Sequence, residues 1–127
     1  MPKPTLAFAV FVLLANGMTC HTINEDDLVG KYRFEKDSVR VELQIKQDHT
    51  FTETLTDAGI NSNVSGTWKY WDGPRNLNLH DVFVPFVPLG TKQVHIRKTN
   101  FGSHVDPCGG TLCLGIDDDN ELRFVKK

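Results

Sequence analysis

The sequence has no apolar run long enough to cross a bilayer, no basic stripe, no window with a helical period and only three cysteines. A spanning helix needs roughly 20 apolar residues, and the apolar run here, Thr5 to Ala15, has eleven. Lysine and arginine number 14 against 16 aspartates and glutamates, a net charge of -2. Nucleic acid requires a concentrated basic face, so that balance excludes it as a partner. It lends no support to binding on anionic membranes either. No "GxSxG" elbow, no glycine-rich strand-to-helix turn and no paired "CxxC" or "HxxxH" spacing occurs. These gaps remove the usual settings for an activated serine, a phosphate cradle and a structural zinc site.

What is present begins with "MPKPTLAFAVFVLLANG": one lysine, an apolar core, then small residues at Ala15 and Gly17. That order is the charge, apolar core and small-residue exit of a secretory signal. Two cleavage readings stay open. Cutting after Gly17 leaves Met18 and Thr19 ahead of Cys20, whereas cutting before Cys20 makes that residue a lipid attachment point, although Gly17, Met18 and Thr19 fit the lipoprotein pattern poorly. The expected organisation is a signal segment over 1–19, a polar lead over 20–27 and one domain over 28–127. Loss of the first 19 residues removes only Lys3 from the charge count and takes the net charge from -2 to -3.

An odd number of cysteines in an exported chain leaves one sulfur over or committed elsewhere. "CGGTLC" sets Cys108 and Cys113 five apart with two glycines between them, which suits a tight loop. The economical assignment is a Cys108–Cys113 disulfide with Cys20 lipidated. Pairing of Cys20 with either of the others stays open at the level of sequence.

From residue 30 onward the side chains alternate. In "VRVELQIK", Val39, Val41, Leu43 and Ile45 face one way and Arg40, Glu42, Gln44 and Lys46 the other, the pattern of a strand with one wet face. Tyr32 and Phe34 alternate in the same way before it, and Phe51 and Leu55 after it. Val64, Trp68 and Tyr70 are expected inward, with Ser65, Thr67, Lys69 and Trp71 outward, then Leu77 and Leu79, then Val94 and Ile96 inward. "DGPRN" breaks the chain, and "DDDN" joins two last strands as a hairpin. Seven or eight short strands, each with a single apolar face in sequence order, predict an all-β fold. The expected architecture is a small antiparallel barrel of meander topology, which leaves no open edge.

"LVGKYRF", "QDHTFTETLTDAG", "SGTWKYW" and "GTLCLGIDDDNELRFVKK" resemble the small lipocalin-like bacterial lipoproteins and secreted β-barrel proteins over about residues 28 to 127. The resemblance rests on Gly30 with Tyr32, on the turn Asp48–Phe51, and on Gly66 to Trp68. His49 stands where such turns carry glycine, and Tyr32 where lipocalins carry tryptophan. What the resemblance implies is an exported barrel; fold does not specify function.

Candidate sites are few. Ser65 and Ser103 lack any nucleophile context and are expected as solvent-facing hydroxyls. "HVDPC" brings His104, Asp106 and Cys108 within five residues, ligand types for zinc or copper, unless the disulfide claims the sulfur. "DDDNE" lacks the spacing of a calcium loop. Glu53 shares parity with Phe51 and Leu55, so it sits at the barrel rim or is a buried carboxylate in need of a partner, and the rim is the expected place. "DVFVPFVPLG" is apolar from Val82 to Leu89 and breaks period two. It is expected as a loop, with Pro88 and Gly90 at the second and fourth positions of a turn. Phe83, Phe86 and Leu89 from this segment, with Trp71 and Arg75, are the expected partner contacts, the alternative being that the loop folds over and corks the barrel.

The functional expectation is an exported, non-enzymatic, monomeric module of the cell envelope or the secreted fluid. It would act through protein contacts in the manner of an inhibitor or immunity protein, with no cofactor. The alternative is a carrier of a small hydrophobic ligand in the barrel interior, or of a metal at "HVDPC".

Overall fold

The computed structural model describes residues 23–127; the expected signal segment 1–19 and the candidate lipid site Cys20 lie outside the described residues. A four-residue helix, α1 (Glu25–Leu28), precedes eight strands: β1 (Gly30–Lys36), β2 (Val39–Ile45), β3 (Thr50–Asp57), β4 (Ile60–Trp71), β5 (Asn76–Phe86), β6 (His95–Cys108), β7 (Thr111–Asp117) and β8 (Leu122–Lys126). Each strand pairs antiparallel with the next, and β1 pairs with β8 through Tyr32 and Arg33 to close a meander barrel. This is the expected fold class.

Alternation in sequence becomes alternation in space. Along β2, Val39, Val41, Leu43 and Ile45 are buried while Arg40, Glu42 and Gln44 face water. Register then carries one inward row across the sheet, from Tyr32 to Leu43 to Glu53 to Val64. Each large apolar side chain so buried contributes about 1.5–3 kcal/mol. The exposed pairs Arg33–Glu42 at 3.0 Å and Arg40–Glu35 at 3.1 Å decorate the wet face and stabilise it little.

Because successive turns of a meander alternate between barrel ends, α1 and the turns at 46–49, 72–75 and 109–110 share one end. The other end carries the turns at 37–38, 58–59, 87–94 and 118–121. The first end is sealed from within the sequence stretch expected to be a polar lead. Ile23 and Leu28 belong to the core. The Tyr32 hydroxyl donates to the Leu28 carbonyl at 2.7 Å and the Lys126 ammonium to the Asp27 carbonyl at 2.6 Å. Gly30, at φ +148, leaves room for that lysine, since a Cβ there would lie 2.7 Å from Lys126 Cε. Core packing among the described residues therefore includes Ile23, ahead of residue 28. His49 adopts φ +68, the conformation for which glycine is favoured, and its ring lies 4.5 Å from that of Trp68.

β5 departs most from expectation. "DVFVPF" is strand and not loop. Between Leu79 and Val82 the pairing with β6 slips by one residue, with Asp81 at φ +55 and its N–H donated to Asn100 Oδ1 at 3.1 Å. One extra residue reverses the parity of everything after it, so Leu77 and Leu79 face inward before the bulge and Val82 and Val84 after it. That reversal is why period two looks broken in the sequence. The turn that follows is also one residue later than expected: Thr91 N–H donates to the Pro88 carbonyl at 3.0 Å, and Gly90, at φ +83, takes the third position.

Candidate functional site

The barrel interior is occupied by its own side chains. Tyr32, Phe51, Leu43, Leu79, Leu114 and Phe124 are fully buried, and Phe124 stands edge-on to both Phe34 and Phe101 at centroid distances of 6.4 and 6.3 Å. Ser103 is part of this interior and not of the wet face, as its hydroxyl donates to the Gly115 carbonyl at 2.9 Å. The sites open to a partner are on the outer surface.

Glu53 corrects the rim expectation. It is 1 % exposed. Its Oε1 accepts the Phe83 N–H at 2.6 Å, and its Oε2 has no partner. The ladder between β4 and β5 covers only Trp68–Trp71 with Asn76–Leu79, so beyond the bulge β5 pairs with β6 alone. The Phe83 N–H points away from β6, and Glu53 supplies the acceptor that β4 no longer offers. Pro85, two residues on, turns the same way, where the missing N–H costs no ladder bond. Loss of water pushes the Glu53 carboxyl up to about 8, and the hydrogen bond from Phe83 restrains the rise. Glu53 thus acts as a latch holding the arm formed by Val82–Phe86 and His95–Thr99.

The arm carries three of the expected contact residues. Leu89 is fully exposed at its tip, and Phe83 and Phe86 are half-buried. The Arg97 guanidinium stands 4.9 Å over the Phe86 ring. From Val82 to Lys98 the chain has Lys92, Arg97 and Lys98 and no carboxylate. Trp71 and Arg75 are elsewhere. Arg75 closes the β4–β5 turn, its N–H donating to the Asp72 carbonyl at 3.1 Å and its carbonyl accepting from Val105 at 2.9 Å. The length of β5 separates this turn from the arm tip, roughly 30 Å at ~3.3 Å per residue. The five residues expected as one contact therefore form two surfaces at opposite ends of the barrel.

Cys108 and Cys113 are bonded, with Cα atoms 5.6 Å apart, across the β6–β7 turn. Their sulfurs are therefore taken. His104 Nε2 and Asp106 Oδ1 meet at 3.3 Å on the outer face of β6. Among the described residues no group of three or more metal-type side chains gathers around them.

The surface that holds Trp71 extends beyond the expected residues. Lys69, Trp71, Asn78, His80, Asn100 and Gly102 line a shallow dish on the outer face of β4, β5 and β6. The available signal was asparagine at strand positions, a residue that strands disfavour.

No protein family, curated protein or solved structure matches the chain.

Proposed function

We propose that this chain is an exported, non-enzymatic binding module of the lipocalin-like kind, and that it engages a protein partner through the β5–β6 arm. The supporting observation is the arm itself: a fully exposed Leu89 at the tip, a half-exposed Phe86 below it, and three cations with no carboxylate between Val82 and Lys98. An apolar anchor ringed by cations suits a partner whose apolar pocket is rimmed by carboxylates, in the manner of an inhibitor or immunity protein. The Cys108–Cys113 bond is compatible with an oxidising compartment. The large side chains packed in the interior favour protein contact over the ligand-carrier alternative.

The test places a photo-crosslinking residue at position 89 and, as a control, at the exposed Ile60 on β4. Specific adducts from position 89 that disappear when Arg97 and Lys98 are changed to glutamate support the reading. The same adducts from both positions, or none from 89, refute it.

A further inference from the structure

Outward strand positions usually carry threonine, lysine, glutamate or β-branched residues, and asparagine is depleted there. This barrel has five asparagines on strands. Two are accounted for by cross-strand bonds, since Asn63 and Asn61 accept the Thr54 and Thr56 hydroxyls at 2.8 Å each. Asn100 receives the Asp81 N–H at the bulge. For the side-chain amides of Asn76 and Asn78 the described residues supply no hydrogen-bond partner, although both are half-buried. Where residues work against local propensity without an internal reason, a function is the first place to look.

Register groups these amides. Trp71 pairs with Asn76, which pairs with His104; Lys69 pairs with Asn78, which pairs with Gly102. Both amides lean over Gly102, where a Cβ would stand 2.8 Å from Asn78 Oδ1 and 3.3 Å from Asn76 Oδ1. The glycine is thus the floor of the dish. At its edge the Trp71 ring is 48 % exposed with the Lys69 ammonium 4.6 Å above it. The dish measures about 310 Å³, the lower end of the range for ligand pockets.

We propose that this face is a glycan-binding site, in which a pyranose ring takes the place of the Lys69 ammonium over Trp71 and its hydroxyls bond the planar amide of Asn78 in the dish and that of Asn76 beside it. A sugar ring presents C–H groups on one face and hydroxyls at its rim. An exposed indole beside amides, each both donor and acceptor, matches that pattern. A stacked nucleobase would bring phosphates, for which a chain of net charge -2 with one lysine in the dish provides no track. Lys69 is placed to take the carboxylate of an acidic sugar.

The test is retention on an array of immobilised chito-oligosaccharides, β-glucan oligosaccharides and oligogalacturonates, followed by titration of the retained probe against intrinsic fluorescence. The chain has two tryptophans and Trp68 is 3 % exposed, so a change in emission reports Trp71. The expected result is retention with an emission shift, a loss of at least about tenfold in Trp71→Ala, and a weaker complex in Gly102→Ala at unchanged melting temperature. Leu89→Asp retains the sugar in full, which separates this site from the arm. Retention of oligogalacturonate that Lys69→Gln abolishes identifies an acidic glycan, and retention of neutral probes indifferent to Lys69→Gln identifies a neutral one; both uphold the site. Absence of retention, or equal retention by Trp71→Ala and Gly102→Ala, overturns it.

Discussion

Replacing Glu53 by glutamine changes how stability depends on pH. The folded carboxyl titrates at about 8 against an ordinary value of 4.5, so between those limits the folded state holds a proton that the unfolded state has released. Stability from this group is complete below pH 4.5 and is lost as pH rises through 8. The slope is roughly 1.4 kcal/mol per pH unit across that window, and the whole loss by pH 8 is at most on the order of 5 kcal/mol. Glu53→Gln keeps an oxygen for the Phe83 N–H and never ionises. It should therefore equal the wild type near pH 4.5 and exceed it by a margin that widens towards pH 8. Glu53→Met, of similar length and without an acceptor, leaves the Phe83 N–H unpaired and should cost about 1–3 kcal/mol relative to glutamine at every pH. Urea unfolding of the three proteins, followed by tryptophan emission at several pH values, measures both effects, and taking differences cancels the other titrating groups. Parallel wild-type and glutamine profiles from pH 5 to 8 would show that Glu53 ionises freely and that the latch is wrong.

The Cys108–Cys113 bond closes a short loop, so replacing both cysteines by alanine should lower stability by about 2 kcal/mol in urea unfolding. Gly66→Ala puts a Cβ 2.9 Å from the Phe51 ring and 3.3 Å from the His80 carbonyl; it should cost about 1–3 kcal/mol, seen as a lower melting temperature. Leu89→Asp, at a fully exposed position, should move stability by less than about 0.5 kcal/mol in urea unfolding. The intact mass of the protein from its native envelope or medium should rise by two protons on reduction, and where it begins separates the two cleavage readings: a mass beginning at Cys20 with acyl chains attached makes that residue the lipid anchor. A mass beginning at Met18 would return Cys20 to the thiols.

The barrel was legible because most strands bury a single face. Val39 to Ile45 and Phe51 with Leu55 alternate without interruption, and a run of such strands in sequence order has few ways to hide its edges other than closure. Several features were hidden for different reasons. Ile23 and Leu28 are two apolar residues in an acidic stretch too short to show any period, although they seal one end. The extra residue at the β5 bulge reverses parity, so Val82–Phe86 looked aperiodic while it was alternating in the opposite phase. The inward direction of Glu53 followed from parity, but its depth depended on a backbone N–H thirty residues away, which no local pattern reports. Trp71 and Phe86 seemed to be one surface because the length of β5, and hence the distance between its ends, was set by where the strand stopped. The asparagines around Trp71 were visible as a breach of strand propensity; their convergence on Gly102 needed the register.

The ladder that ends at Leu79 gives β5 two different kinds of attachment. Its first half is held on both sides by neighbouring strands, and its second half by β6, by Val82 and Val84 in the core, and by a single carboxyl side chain. Local opening in proteins follows such differences in attachment, so the second half of β5 is the part expected to open before the first. In hydrogen exchange the Phe83 amide would report that difference, protected while Glu53 accepts its hydrogen bond.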